Sequence, residues 1–134
     1  MWLAARAFPQ AGLPLPWRGL ACAATGVAGL VLCALGVLPF RRAGTTVDPT
    51  RPDRASALVT TGIYSVTRNP MYLGMLLVIV AWGLWLANAV GLILAPLAFV
   101  LYIDRVQIPR EERALAAAFG SDYTGYASRV RRWL

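Results

Sequence analysis

Apolar positions in this chain run together in long blocks, where a surface helix would show a stripe and a half-buried strand an alternation. Residues 19–40 carry no charge and are bounded by Arg18 and by Arg41-Arg42. That predicts a membrane helix over 17–40, since about 20 residues of apolar helix cross a bilayer. Residues 71–103 are likewise charge-free, with Asn88 near the middle and Trp82 and Trp85 close to it. A block of that length is too long for one straight span. It predicts a helical hairpin over 70–107, with one arm from Pro70 to Ala87, a tight turn at Asn88 and a return arm to Gln107 in which Pro96 can kink the helix.

The polar segments complete the organisation. Residues 1–16 are interrupted by Pro9, Pro14 and Pro16, so they predict an interfacial arm too short to span. Residues 41–69 form a loop punctuated by Gly44, Pro49, Pro52 and Gly62, with a turn near 55–58 and an extended piece over 58–62. Residues 108–134 form a tail that opens with Pro109, suited to the first turn of a new helix, and places Glu111 and Glu112 where acids complement the helix dipole. Phe119-Gly120 closes that helix at a glycine, and Ser121 or Asp122 caps a last one. Tyr123, Tyr126, Val130 and Trp133 then share one face. The expected fold is all-α, a single-domain integral membrane bundle of about three transmembrane helices with a cytoplasmic helical tail.

Composition agrees with a membrane protein and adds an orientation. Hydrophobic residues make up 58% of the chain and charged ones 14%, against about 25% charged in a soluble domain. The formal net charge is +7 and every basic residue is arginine. These arginines flank the apolar blocks and do not line one stripe, which argues against nucleic acid as a partner. Eleven of them fall in the 41–69 loop, at the hairpin's closing end (Arg105) or in the tail, and only Arg6 and Arg18 lie on the other side. By the positive-inside rule the loop and the tail both face the cytoplasm of a bacterial inner membrane. Cys22 and Cys33 stand roughly 16 Å apart along one helix and cannot bridge. With no histidine and no cysteine cluster, no metal site is expected. Together with Gly26, Gly29 and Gly36 the two cysteines make a small-residue face that admits another helix closely, and a homodimer through this face is one expectation.

Candidate chemistry concentrates where the loop meets the hairpin. Asn69 suits an N-cap and Pro70 a first helical turn, so Arg68 stands at the mouth of a membrane helix with its guanidinium able to bind an anion or to snorkel to headgroups. Two blocks stand out: Gly62-x-Tyr64-x-x-x-Arg68-Asn69-Pro70-x-Tyr72-x-Gly74, and Glu111-Glu112-x-x-Leu115-x-x-x-Phe119-Gly120-x-x-Tyr123-x-x-Tyr126-x-x-Arg129-Val130-x-Arg132-Trp133. In order and spacing they resemble the isoprenylcysteine carboxyl methyltransferase and phospholipid methyltransferase families of membrane enzymes, in their bacterial branch.

The resemblance implies an S-adenosylmethionine site made by the hairpin's cytoplasmic end and the tail, with a lipophilic or lipid methyl acceptor. Gly62, Tyr64, Asn69, Pro70, Tyr72, Glu111, Glu112 and Tyr123 would line the cofactor, and Arg68 and Arg129 would converge on the acceptor. Asn69 stands where the eukaryotic carboxyl methyltransferases have histidine. The N-terminal helix usual in bacterial relatives is mostly missing, and completion of the bundle by a second copy is one expectation that follows. A sulfonium is met by carboxylates and aromatic faces, which both blocks supply. Methyl transfer to a carboxylate needs no general base, in keeping with a chain without histidine, so carboxyl O-methylation is the first expectation. Phospholipid amine N-methylation, an NADPH-dependent membrane reductase-like activity and a non-catalytic small membrane protein are the alternatives.

Overall fold

The computed structural model describes residues 1–7, 16–45 and 56–134, and every regular element among them is helical. Five helices follow in order: α1 (Trp2–Ala7), α2 (Arg18–Ala43), α3 (Pro70–Leu86), α4 (Ala89–Tyr102) and α5 (Ile108–Arg129). A 3-10 turn, Gly62–Ser65, precedes α3, and a π-helical turn, Ile103–Gln107, joins α4 to α5. Arg51, Arg54 and the start of the turn expected near 55–58 lie outside the described residues.

α2 and α3 pack antiparallel along the small-residue face. A Cβ on Gly29 would lie 2.7 Å from the Gly74 carbonyl oxygen, and a Cβ on Gly74 would lie 2.6 Å from the Gly29 carbonyl oxygen and 2.6 Å from Cys33 Sγ. Only glycine allows so close a backbone approach, and in lipid such packing is what holds helices together. The Cys33 thiol donates to the Met71 carbonyl at 3.6 Å, while Gly36 faces Met71 and Gly26 faces Ala81. The face expected to receive a second copy is therefore covered by α3 of the same chain, which removes the reason for a homodimer through it.

At the far end of the hairpin, Ala87 enters the left-handed region with φ 48° and stops α3. Asn88 is 3% exposed and caps α4, its side-chain oxygen accepting from the Gly91 amide at 3.1 Å. Met1 reaches this turn, its Cε 2.9 Å from where a Gly83 Cβ would stand, so α1 lies on the closed end of the hairpin.

The sequence predicts a fresh helix at Pro109, but α4, the π-helical turn and α5 run on without a loop from Ala89 to Arg129. Glu111 and Glu112 therefore stand inside a continuous helical run, where dipole compensation at a free helix start does not explain them. Gly120, with φ 52° and ψ −122°, breaks the helical backbone as its position suggests, yet helix resumes at once.

Two stretches are long and apolar enough to cross a membrane, Arg18–Ala43 and the apolar part of Ala89–Arg129. Only 11% of the most apolar stretch of each is buried within the protein, as lipid-facing surface requires and a water-soluble core does not. α3, with 17 residues, is a shorter apolar helix between them. The chain is a membrane protein. Its buried clusters gather at the end of the bundle opposite the hairpin turn: Val59, Tyr64, Tyr123 and Tyr126 in one, Tyr72, Ile103 and Ile108 in the other.

Candidate active site

Residues 58–69 fold against the end of α2 and under the second half of α5. Gly62, with φ 62°, starts the 3-10 turn in a conformation that favours glycine. Tyr64, four residues before Arg68, is buried, and the Phe40 ring meets its ring edge-on at 5.3 Å. Its backbone carbonyl accepts from Tyr126 Oη at 2.7 Å. Burial pushes the Tyr126 hydroxyl up to about 12, which keeps it a donor. The chain's last residues then cross this loop. Thr67 and Arg131 form an isolated parallel bridge, and the Arg68 amide donates to the Arg131 carbonyl at 3.0 Å.

Charged groups gather beside that crossing. Arg68 Nη1 pairs with Glu112 Oε1 at 2.9 Å and donates to Tyr123 Oη at 3.2 Å. Arg132 grips the same carboxylate with two bonds, Nε to Oε1 at 3.2 Å and Nη2 to Oε2 at 2.8 Å. Its Nη1 reaches Asp104 Oδ1 at 3.1 Å, and Trp133 Nε1 donates to that oxygen at 3.2 Å. These are charge-assisted contacts, stronger than neutral ones. A second carboxylate faces the start of α3, where Glu111 Oε1 accepts from Tyr72 Oη and from Gln107 Nε2, the latter at 2.8 Å. Burial holds the Glu111 carboxyl above its ordinary range, opposed by those two bonds. Arg68 Nε is buried and has no hydrogen-bond partner among the described residues.

The structure thus brings together Tyr64, Arg68, Asn69, Pro70, Tyr72, Glu111, Glu112 and Tyr123 at one end of the bundle, with Gly62 at the rim. Pro70 takes the first helical position of α3. Asn69 holds the cap position without a capping bond; its amide donates instead to the Arg132 carbonyl at 2.8 Å. Arg129 does not converge with Arg68. It is exposed at the end of α5, and the second guanidinium at Glu112 belongs to Arg132. The reason is the chain's course: α5 ends at Arg129, and the extended residues after it turn Arg132 inward. Arg132 and Trp133 lie in the second sequence block without an expected role at the site, and Asp104 and Gln107 lie in neither block. Asp104 carried one usable signal, as the first charge to interrupt the long apolar block.

The sequence pattern described as phospholipid methyltransferase matches residues 17–122, which takes in α2, the loop, the hairpin and most of α5. The chain belongs to the phospholipid methyltransferase family. This places it among methyltransferase enzymes. It is 47% identical over 64 residues, 48% of its length, to the whole of an uncharacterised protein of Haemophilus influenzae. It is 32% identical over 107 residues to protein-S-isoprenylcysteine O-methyltransferase B of Arabidopsis thaliana, covering 78% of this chain and 52% of that protein. Against the protein-S-isoprenylcysteine O-methyltransferase of Saccharomyces cerevisiae the identity is 33% over 89 residues, 60% of this chain and 34% of the relative. The chain thus spans about half or less of those two methyltransferases. No solved structure matches it.

Proposed function

We propose that this chain transfers a methyl group from S-adenosylmethionine to the carboxylate of a lipophilic acceptor at the cytoplasmic face of a bacterial inner membrane. One observation carries the reading: Arg68, with only 16% of its side chain exposed and its Nε unpartnered, pairs with the Glu112 carboxylate and the Tyr123 hydroxyl at the end of the bundle opposite the hairpin turn. The names of the plant and yeast relatives, which place their own activity on isoprenylcysteine, support a lipid-modified acid as acceptor.

The residues present fit the cofactor in charge and shape of donor set. Glu111, Glu112, Tyr64, Tyr72 and Tyr123 offer carboxylates and aromatic groups to a sulfonium and an ammonium, with Gly62, Asn69 and Pro70 forming the adjoining backbone. When bound, S-adenosylmethionine supplies the methyl group as a sulfonium electrophile. The chain's own part is to hold and to exclude water. Tyr72 and Gln107 fix Glu111, the Glu112 carboxylate is fixed by two guanidinium groups, and Arg68 Nε offers an N–H to an incoming acid. A carboxylate acceptor brings no proton to remove. In this reading α2, α3 and α4 are the three spans, and the eleven arginines of the loop, the π-helical turn and the tail put the site on the cytoplasmic side.

The Glu111 carboxyl, held high by burial, supports a second reading, since it suits acceptance of a proton from an amine nucleophile. The test measures binding of S-adenosylmethionine and of NADPH calorimetrically, then follows radiolabelled methyl transfer to a lipophilic carboxylic acid and to phosphatidylethanolamine. Labelling of the acid supports carboxyl methylation. Labelling of the amine alone moves the assignment to N-methylation, and binding of NADPH without S-adenosylmethionine rejects both.

A further inference from the structure

Counting its backbone carbonyl, Arg132 is tied at more points than any other residue described above. Its guanidinium uses Nε and Nη2 on Glu112 and Nη1 on Asp104. Its carbonyl accepts from Asn69 Nδ2 at 2.8 Å and from Thr67 Oγ1 at 3.4 Å. One residue thus joins the α3 entry, the π-helical turn and α5. Asp104 anchors it from the turn and holds the neighbouring Trp133 by the same oxygen.

The consequence falls on Arg68. A guanidinium binds a carboxylate best along its Nε/Nη2 edge, through two parallel N–H bonds. Arg132 presents that edge to Glu112, whereas Arg68 reaches Glu112 only through Nη1. With both oxygens of Glu112 held by Arg132, the carboxylate cannot turn onto the Nε edge of Arg68. That edge keeps a buried, unsatisfied Nε, a state that costs free energy and that native proteins rarely leave unanswered.

We infer that Arg132, latched by Asp104, is a positioning residue that holds Glu112 away from the Nε edge of Arg68 and so reserves that edge for the acceptor's anionic group. The inference rests on the reading of Arg68 given under the proposed function. Neither residue need touch the acceptor.

The protein in detergent micelles, labelled with 15N at arginine Nε, provides the test, with the Arg68 signal assigned by its loss in Arg68→Lys. In the ligand-free protein the wild-type Nε–H should resonate as an unbonded group. In Arg132→Gln it should move downfield as Glu112 turns onto it, and in the milder Asp104→Asn it should move in the same direction. Titration with decanoate, with decanol as apolar control, should shift the wild-type signal saturably. Decanoate should bind the variants about tenfold more weakly, as expected for competition from a charge-assisted bond. An Arg68 signal unchanged in both ligand-free variants overturns the positioning role, because a merely structural Arg132 would lower the melting temperature and leave that signal alone. A wild-type signal indifferent to decanoate, with the ligand-free shifts present, sinks the acceptor reading of Arg68 and leaves the positioning role standing.

Discussion

Gly74→Ala should loosen the bundle, and its neighbour along the seam, Gly26→Ala, should not. A Cβ at Gly74 would stand 2.6 Å from the Gly29 carbonyl oxygen, 2.6 Å from Cys33 Sγ and 2.9 Å from the Cys33 backbone nitrogen. Comfortable contacts lie at about 3.5 to 4 Å, so α2 and α3 must part by roughly 1 Å where two of the three obstacles are backbone. Overpacking of this kind costs about 1–3 kcal/mol. The better helix propensity of alanine returns about 1 kcal/mol, which leaves a net loss of up to about 2 kcal/mol. At Gly26 the added Cβ would meet only the Ala81 Cβ, at 3.6 Å, an ordinary contact, so propensity decides and the variant gains up to about 1 kcal/mol. Unfolding in mixed micelles with increasing dodecyl sulfate, followed by circular dichroism, gives both values. Gly74→Ala at or above wild-type stability, or Gly26→Ala losing as much, would refute the backbone-contact account of the seam.

Four further outcomes follow from the structure. Single cysteines at Arg42 and at Leu134, in a protein lacking Cys22 and Cys33, should both be labelled by an impermeant reagent in inside-out vesicles and neither in right-side-out ones; labelling from opposite sides ends the shared-site model. Tyr126→Phe removes the bond to the Tyr64 carbonyl and should cost about 1–2 kcal/mol in the same unfolding assay, the penalty of a buried acceptor left alone. Because the folded Glu111 carboxyl binds its proton more tightly than the ordinary value of 4.5, its contribution is fully present below about that pH and is lost as pH rises through the folded value. Melts of Glu111→Gln should lack this decline, and its affinity for S-adenosylmethionine should fall, whereas unchanged affinity would remove Glu111 from the site. Arg68→Lys should lose methyl transfer while keeping cofactor binding, since lysine cannot form the two-bond contact; Arg129→Lys, at an exposed helix end, should leave transfer within about twofold, and an equal loss at Arg129 would restore it to the acceptor site.

Much of this architecture could be read from uninterrupted apolar blocks, because lipid leaves helices as the economical way to satisfy the backbone. The hairpin turn was legible for the same reason: Asn88 is a poor resident of a membrane helix and a good cap. The seam was legible as spacing, but its partner was not, since a glycine face records that something comes close without recording what. At the site, Tyr72 and Glu111 were named from their blocks and do meet. Arg129 and Arg132 show where reading stopped. Three residues apart, they look interchangeable on a helix, and only the end of α5 at Arg129 decides which one turns inward. The continuity of α4 into α5 was hidden as well, because Pro109 after a polar turn looks like a beginning, and a π-helical turn has no sequence signature of its own.

That unbroken run sets the depth of the site. From Ala89 at the hairpin turn to Glu111 the chain stays helical, at most about 33 Å at the helical rise, with no loop between lipid and carboxylate. A rod of fixed length makes bilayer thickness an input. Where the hydrocarbon layer is close to its usual value of about 30 Å, the proposed function puts Glu111 and Arg68 at the headgroup level, open to a water-borne cofactor and a lipid-borne acid. In a thicker membrane the same groups would be drawn below the surface unless the rod tilts upright, and in a thinner one they would be lifted off the acceptor. Under the proposed function, the acyl-chain length of the host membrane thereby becomes a control on how the two substrates meet.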